Sequence, residues 1–416
     1  MTDPAWIQAA LTSARPQAMG ALLRYFRDLD TAEEAFQDAC LRALRSWPQK
    51  GPPRDPTAWL IMVGRNAAID VVRKTSRLTA LPDEESLSDL DDVEPAMAER
   101  LDSADYRDDV LRLLFICCHP ELPPTQQIAL ALRIVCGLSV RQIARAFLVT
   151  EAAMEQRITR AKGRIAKADV PFEAPGPVER SERLAAVAAM VYLVFNEGYS
   201  AGVEAGGRAQ LCDEAIRLGR LLLRLYQTEP EIMGLVALML LQHARSAARF
   251  DAEGQIVLLE DQDRSLWNRA MIAEALALID KAMRHRQPGI YQIQAAIAAL
   301  HARAARPQDT EWNQISLLYA TLEHLQPSPV VTLNRAVAVA KAEGPEAALA
   351  MVDPLGDKLA GYFHFHGVRG WLLMQLGRRA DAHIAFDRAI ARANTLAEAA
   401  HIRQQIDRLK ADATAG

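Results

Sequence analysis

The stretch from Gly137 to Arg164, GLSVRQIARAFLVTEAAMEQRITRAKGR, admits few folds. Ser139 stands where a helix N-cap belongs, and Gln142 follows at the spacing of a capping box. Ile143, Ala144 and Phe147 then form an apolar stripe. Leu148 and Val149 leave room only for a tight connection, and Thr150 can cap a second helix. The apolar side of that helix is expected at Ala153, Met154, Ile158 and Ala161. Its other side carries Glu151, Gln156, Arg157, Arg160, Lys162 and Arg164. Two helices joined this closely, the second with a polar N-terminus and cations along its length, make a helix-turn-helix suited to a major groove. From Arg133 to Lys167 there are eight basic residues and two acidic ones. Phosphate contact needs such a balance, although a basic helical face can also be merely solvated.

The basic character is local, because the 416-residue chain has a net charge of −4. Half of the residues are hydrophobic, so a sizeable core is available. Leu, Ala, Arg and Glu abound and β-branched runs are few, which predicts an all-α protein. The length suggests roughly two to four domains. No apolar run reaches the ~18 residues of a membrane span, and the N-terminus lacks the pattern of a secretory signal. Five scattered cysteines, Cys40, Cys117, Cys118, Cys136 and Cys212, fit a reducing cytoplasm. Cys117, Cys118 and His119 are adjacent, but no Cys-x-x-Cys pair accompanies them. They read as small core residues, and neither a metal nor another cofactor is expected. Asp261, Asp263, Arg264 and Trp267 come with no nucleophile–base pair, so they read as caps and salt bridges. No catalytic constellation is visible, and an enzyme is not expected.

Three helical blocks are expected. The first spans residues 1–80 and the second, with the helix-turn-helix, 106–168. Between them residues 81–105 read as an acidic linker: from Leu78 to Asp109 there are twelve acidic residues and two basic ones. Residues 169–180 form a second, proline-rich break. Residues 181–416 read as helical hairpins. Ala336 and Gly370, Val339 and Leu373, Ala348 and Ala382, and Val352 and Phe386 each lie 34 residues apart. That spacing matches the 34-residue tetratricopeptide repeat, whose stacked hairpins present a curved surface to a protein partner.

The first block contains DLDTAEEAFQDACLRALRSWP and DPTAWLIMVGRNAAIDVVRKTSR. In the first piece Asp30 or Thr31 is expected to cap a helix with Glu33 and Glu34 in its first turn, where the macrodipole favours acids. Ala35, Phe36, Ala39, Cys40 and Leu44 give its apolar side. In the second, Trp59, Leu60, Val63, Ala67 and Val71 can face a core, beside a mostly basic stripe of Arg65, Asn66, Asp70, Arg73, Lys74 and Arg77.

In this order and spacing the motifs resemble an extracytoplasmic-function sigma factor of bacterial RNA polymerase. AEEAFQDACLRALRSWP is similar to sigma region 2.2, AWLIMVGRNAAIDVVRK to regions 2.3 and 2.4, and GLSVRQIARAFLVTEAAMEQRITRAK to region 4.2. The tail, from MVYLVFNEGYSAG onward, resembles the tetratricopeptide-like extension of one subgroup. The resemblance implies that Glu33, Glu34, Asp38 and Arg42 dock on core RNA polymerase. It implies that Asn66, Arg73, Lys74 and Arg77 contact the −10 element of promoter DNA, with the loop Pro48 to Pro56 placed to capture an unstacked base. The −35 element would be met by Arg141, Thr150, Glu151, Gln156, Arg157, Arg160 and Lys162, with Met154 also near the recognition-helix start. Asn196, Glu197, Gly198 and Tyr199 are the most distinctive string of the tail and its expected regulatory contact, with a separate regulatory protein as the expected partner of the tail. The rival expectations are an operator-binding regulator that works without polymerase and a repeat-protein scaffold.

Overall fold

The computed structural model describes residues 5–51, 53–76, 104–147, 149–168, 177–199, 209–393 and 396–414. It divides into two compact units, Met1–Val194 and Phe195–Gly416. Among the described residues no strand forms, and Phe250 and Ile256 make an isolated antiparallel bridge. No helix among them is long and apolar enough to cross a membrane.

The first unit opens with three helices, α1 (Ala5–Phe26), α2 (Leu29–Lys50) and α3 (Pro56–Ser76). Arg27 takes a φ of 55° and turns the chain, so Asp28 caps α2 rather than Asp30 or Thr31. Its Oδ1 accepts from the Thr31 N–H at 2.7 Å and from the Thr31 hydroxyl at 2.6 Å. The buried stripe of α2 is Ala32, Ala35, Phe36, Ala39, Ala43 and Trp47. Leu44 lies one residue outside it and is exposed, contrary to expectation, as is Leu41. Pro48 was expected in a loop and instead sits in the last turn of α2. Trp47 holds that turn, stacked on Trp6 at 6.0 Å and edge-on to Trp59 at 5.4 Å. Gly64 lets α3 touch α2: a Cβ there would lie 2.8 Å from the Ala35 carbonyl oxygen.

Four further helices follow: α4 (Ala104–Cys117), α5 (Pro124–Ile134), α6 (Val140–Ala146) and α7 (Glu151–Lys167). The second block is joined to the first. A Cβ on Gly20 of α1 would meet the Asp109 backbone of α4 at 3.0 Å. Asp109 is buried and pairs with Arg112 at 3.0 Å and Arg24 at 3.3 Å. Cys117, Cys118 and Cys136 are buried too, and burial pushes the Cys117 thiol well up.

Helix α8 (Pro177–Tyr199) leads into the second unit. There follow α9 (Ala209–Leu225), α10 (Pro230–His243), α11 (Arg269–Met283), α12 (Ile290–Arg303), α13 (Trp312–Leu325), α14 (Pro329–Ala342), α15 (Pro345–Val352), α16 (Phe363–Gln375), α17 (Arg379–Ile390) and α18 (Leu396–Thr414). Helix α10 is apolar on every side and buried throughout Ile232–Leu241, as a helix enclosed by neighbours must be. The Glu231 carboxylate at its start accepts from the backbone N–H groups of Tyr291 and Gln292, at 3.1 and 3.2 Å, and so caps α12. The pairs α14–α15 and α16–α17 form consecutive hairpins in which Ala336, Ala348 and Val352 are buried, as are their counterparts 34 residues on, Gly370, Ala382 and Phe386.

His301 of α12 gives this unit an acid limit. Burial first, then the cations Arg245 and Arg264, lower its pKa from 6.5 to about 4. The unfolded chain therefore takes up a proton that the folded one refuses, and stability falls as pH drops from 6.5 towards 4. The loss is expected to approach ~3 kcal/mol at the bottom of that window. His301→Gln should flatten the pH dependence of urea unfolding there.

Candidate nucleic-acid interface

The helix-turn-helix forms as the caps require. The Ser139 hydroxyl accepts from the Gln142 N–H at 3.2 Å, and Gln142 Oε1 accepts from the Ser139 N–H at 2.8 Å. The Thr150 hydroxyl accepts from the Ala153 N–H at 3.2 Å and starts α7. Gly137 enters the motif at φ 78°, a left-handed conformation that favours glycine. Ile143, Ala144, Met154, Ile158 and Ala161 are buried and set the two helices together. Met154 is therefore withdrawn from any groove, and Ala153, expected inside, is exposed.

The outer face of α7 presents Glu151, Gln156 and Arg160 to solvent, with Thr150 exposed at its tip and Arg157 half-buried. Arg141 and Glu151 are both well exposed and meet across the turn at 3.6 Å. Such a pair contributes little to stability and is easily exchanged for other partners. Arg145 of α6 and Arg164 and Lys167 of α7 are further exposed cations of the two helices.

Lys162 lies elsewhere. Its ammonium is 2.6 Å from Asp30 and 2.8 Å from Glu33, both on α2. Glu33 is itself buried, with Arg133 of α5 at 2.7 Å and Arg15 of α1 at 3.9 Å. Arg15 also donates to the carbonyls of Ile134 at 2.9 Å and Arg133 at 3.2 Å, beyond the end of α5's own hydrogen bonds. Together these groups clasp the first three helices to the helix-turn-helix. Burial on its own lowers the Lys162 pKa, but the hydrogen bonds and charges of Asp30 and Glu33 outweigh it, and the net shift is upward. The Lys162 ammonium is thus charged at neutral pH, and its share of the clasp is lost as pH rises through that raised value. Two of the expected contact residues, Glu33 for polymerase and Lys162 for DNA, are therefore spent on each other here. The spacing of charges along single helices gives no sign of such a partnership, because its members are about 100 residues or more apart.

The other expected docking residues of α2 remain open. Glu34 and Asp38 are exposed and Arg42 is half-buried. Leu41 and Leu44 stand exposed beside them, at 55% and 48%. The unbroken helical period places Leu41 and Leu44 on the same side as Glu34 and Asp38, so this signal was available in the sequence. On α3 Asn66 is exposed, and the neighbouring Arg65 lies over the Tyr25 ring at 4.4 Å. The side chains of Arg73 and Lys74, and the whole of Arg77, lie outside the described residues.

The family model for sigma-70 region 2 covers residues 11–78, and that for sigma-70 region 4 covers residues 112–165. The chain belongs to the sigma-70 family, as an extracytoplasmic-function-like sigma factor with a C-terminal extension. Residues 183–283 of the extension match a family of unknown function (DUF6596). The sigma factor is also similar to an uncharacterized protein of Rhizobium meliloti (strain 1021), 72% identical over 414 residues, covering 99% of this chain and 98% of the relative. Its two sigma-70 regions are those of promoter-directed transcription, and sigma-factor families are not enzymes.

The string in the sigma factor's extension ends α8. Asn196 and Glu197 are half-buried and Gly198 is buried. Tyr199 stacks on Phe195 at 5.6 Å, lies under the Arg249 guanidinium at 3.6 Å, and accepts at its hydroxyl from Arg245 at 3.1 Å. Arg249 also donates to the Tyr199 carbonyl at 2.7 Å. Tyr199 is thereby built into its own unit.

Proposed function

We propose that this sigma factor docks on core RNA polymerase through the open face of α2, using Glu34, Asp38 and Arg42 around Leu41 and Leu44. Asn66, Arg73, Lys74 and Arg77 of the α3 region meet the −10 element. Thr150, Glu151, Gln156, Arg157 and Arg160, with Arg141, meet the −35 element. The C-terminal extension is a tetratricopeptide-like regulatory domain that engages a further protein. The observation that carries the reading is the capped, solvent-facing start of α7 with Gln156 and Arg160 beside it. Amide and guanidinium groups at such positions read base edges or seat on phosphates.

The clasp adds a requirement. The −35 and −10 elements are about 25 base pairs apart by their names, or roughly 85 Å of duplex at 3.4 Å per base pair. A compact body of the first unit's length is only about 40 Å across. The clasped form cannot reach both elements, so binding to polymerase and promoter opens it. Glu33 and Lys162 then become free to take their docking and DNA roles.

The test is transcription in vitro with core polymerase and a pool of promoter fragments. The full chain is expected to initiate at specific sites. Gln156→Ala with Arg160→Ala should reduce initiation at least fivefold, the ~1 kcal/mol or more of a base contact, while binding to core polymerase is retained. Sequence-specific DNA binding without initiation would instead favour an operator-binding regulator.

A further inference from the structure

The second unit holds a cavity of about 1100 Å³, walled by the loop around Leu258–Arg264 and by helices α12, α13, α14, α16, α17 and α18. Ligand sites commonly measure ~300–1,000 Å³. Two indoles line it, Trp312 of α13 and Trp371 of α16, each half-buried. Gln405 of α18 and Thr310 also line it, at 7% and 8% exposure. Among the described residues neither of these two side chains has a hydrogen-bond partner. Their polar atoms keep contact with solvent, so each is an open hydrogen-bonding edge in the cavity wall.

Among the described residues the charges of the cavity wall are committed except that of Asp261, which is exposed and stays solvated. Lys341 pairs with Glu260 at 2.8 Å. Arg264 donates to the carbonyls of His301 and Ala304, both at 2.7 Å, and lies over the Trp267 ring at 4.6 Å. An anion entering the cavity would compete with Glu260 for Lys341, and a cation would compete with Lys341 for Glu260. Lys341 lies over one face of Trp371 at 5.6 Å and His301 packs against Trp312 at 5.2 Å, so the recognition groups that remain are the rest of the indole surfaces and neutral hydrogen-bonding edges.

We propose that the C-terminal extension binds an uncharged aromatic small molecule in this cavity, stacked on Trp312 or Trp371 and hydrogen-bonded at its polar edge by Gln405 and Thr310. Such a ligand matches flat apolar surface to the indoles and takes up the open hydrogen-bonding edges of Gln405 and Thr310. The site lies wholly within the second unit, and its occupancy does not depend on the proposed promoter and polymerase contacts.

Titration of the full chain with Nile red, a neutral aromatic dye, tests this, with anilinonaphthalene sulfonate as the anionic comparison and thioflavin T as the cationic one. Saturable one-to-one binding of Nile red with a blue-shifted emission is expected, tighter than for either charged dye. Gly367 lines the cavity, and a Cβ there would make only an ordinary 3.5 Å contact with Ile402. Gly367→Leu should therefore fill the space without a backbone clash and weaken binding at least tenfold, and Trp371→Ala with Gln405→Ala should do the same from the opposite cause. Circular dichroism of each variant verifies the fold. Absence of saturable binding, a preference for a charged dye, or affinity unchanged in both folded variants would overturn the proposal.

Discussion

Glu33→Ala is expected to destabilise the first unit by about 3 kcal/mol or more, the usual consequence of removing one member of a buried charge cluster. The size follows from what is left behind. Lys162 keeps Asp30 at 2.6 Å. Arg133 and Arg15, with side chains 24% and 11% exposed, have no other carboxylate within 4 Å among the described residues. Two cations would then sit close together with little water to screen them. Glu33→Gln keeps the shape and an acceptor oxygen, so it should cost less than alanine. Lys162→Met should cost less again, because Glu33 retains Arg133. Urea unfolding followed by Trp47 fluorescence would read these differences. A loss below 1 kcal/mol for Glu33→Ala would mean that solvent reaches the cluster far more than its burial implies.

Phe386→Ala should cost the second unit about 3–5 kcal/mol, as for other large aromatics cut from a packed core. Phe386 of α17 is fully buried, and a Cβ on Gly370 of α16 would come within 2.6 Å of its ring. The two positions are therefore coupled. Gly370→Ala alone should destabilise, since the ring has no room to retreat, although alanine is the better helix former. Gly370→Ala combined with Phe386→Leu should cost less than the sum of the two single changes. A strictly additive double-mutant cycle, measured by urea unfolding, would contradict this packing.

How far the sequence was legible depended on the range of the interactions. The helix-turn-helix could be read from Ser139, Gln142 and Thr150 because a capping interaction spans three residues, and the structure forms both caps. The residues paired at the 34-residue offset, such as Ala336 with Gly370 and Val352 with Phe386, are buried in their hairpins, as apolar and small residues at helical spacing suggest. The start of α2 was misplaced because Asp28, Asp30 and Thr31 are all competent caps, and the choice rests on the positive φ of Arg27. Leu44 was misassigned because a helical stripe drifts, and Ala43, not Leu44, continues it towards Trp47. The clasp and the cavity were illegible. Both depend on side chains brought together from distant segments, and no local period records them.

The Arg15 bonds to the ends of α5 bear on how this protein is dissected. A helix ordinarily leaves its last carbonyls to water or to its own sequence neighbours. Here the helix that supports the recognition motif borrows a guanidinium from more than 100 residues away. Severing the chain in its acidic segment would leave one fragment with a surplus buried acid and the other with an unfinished helix end. Each fragment would then be a poorer reporter of its own DNA affinity than the intact chain, and mixing the two is the better way to learn what each contributes.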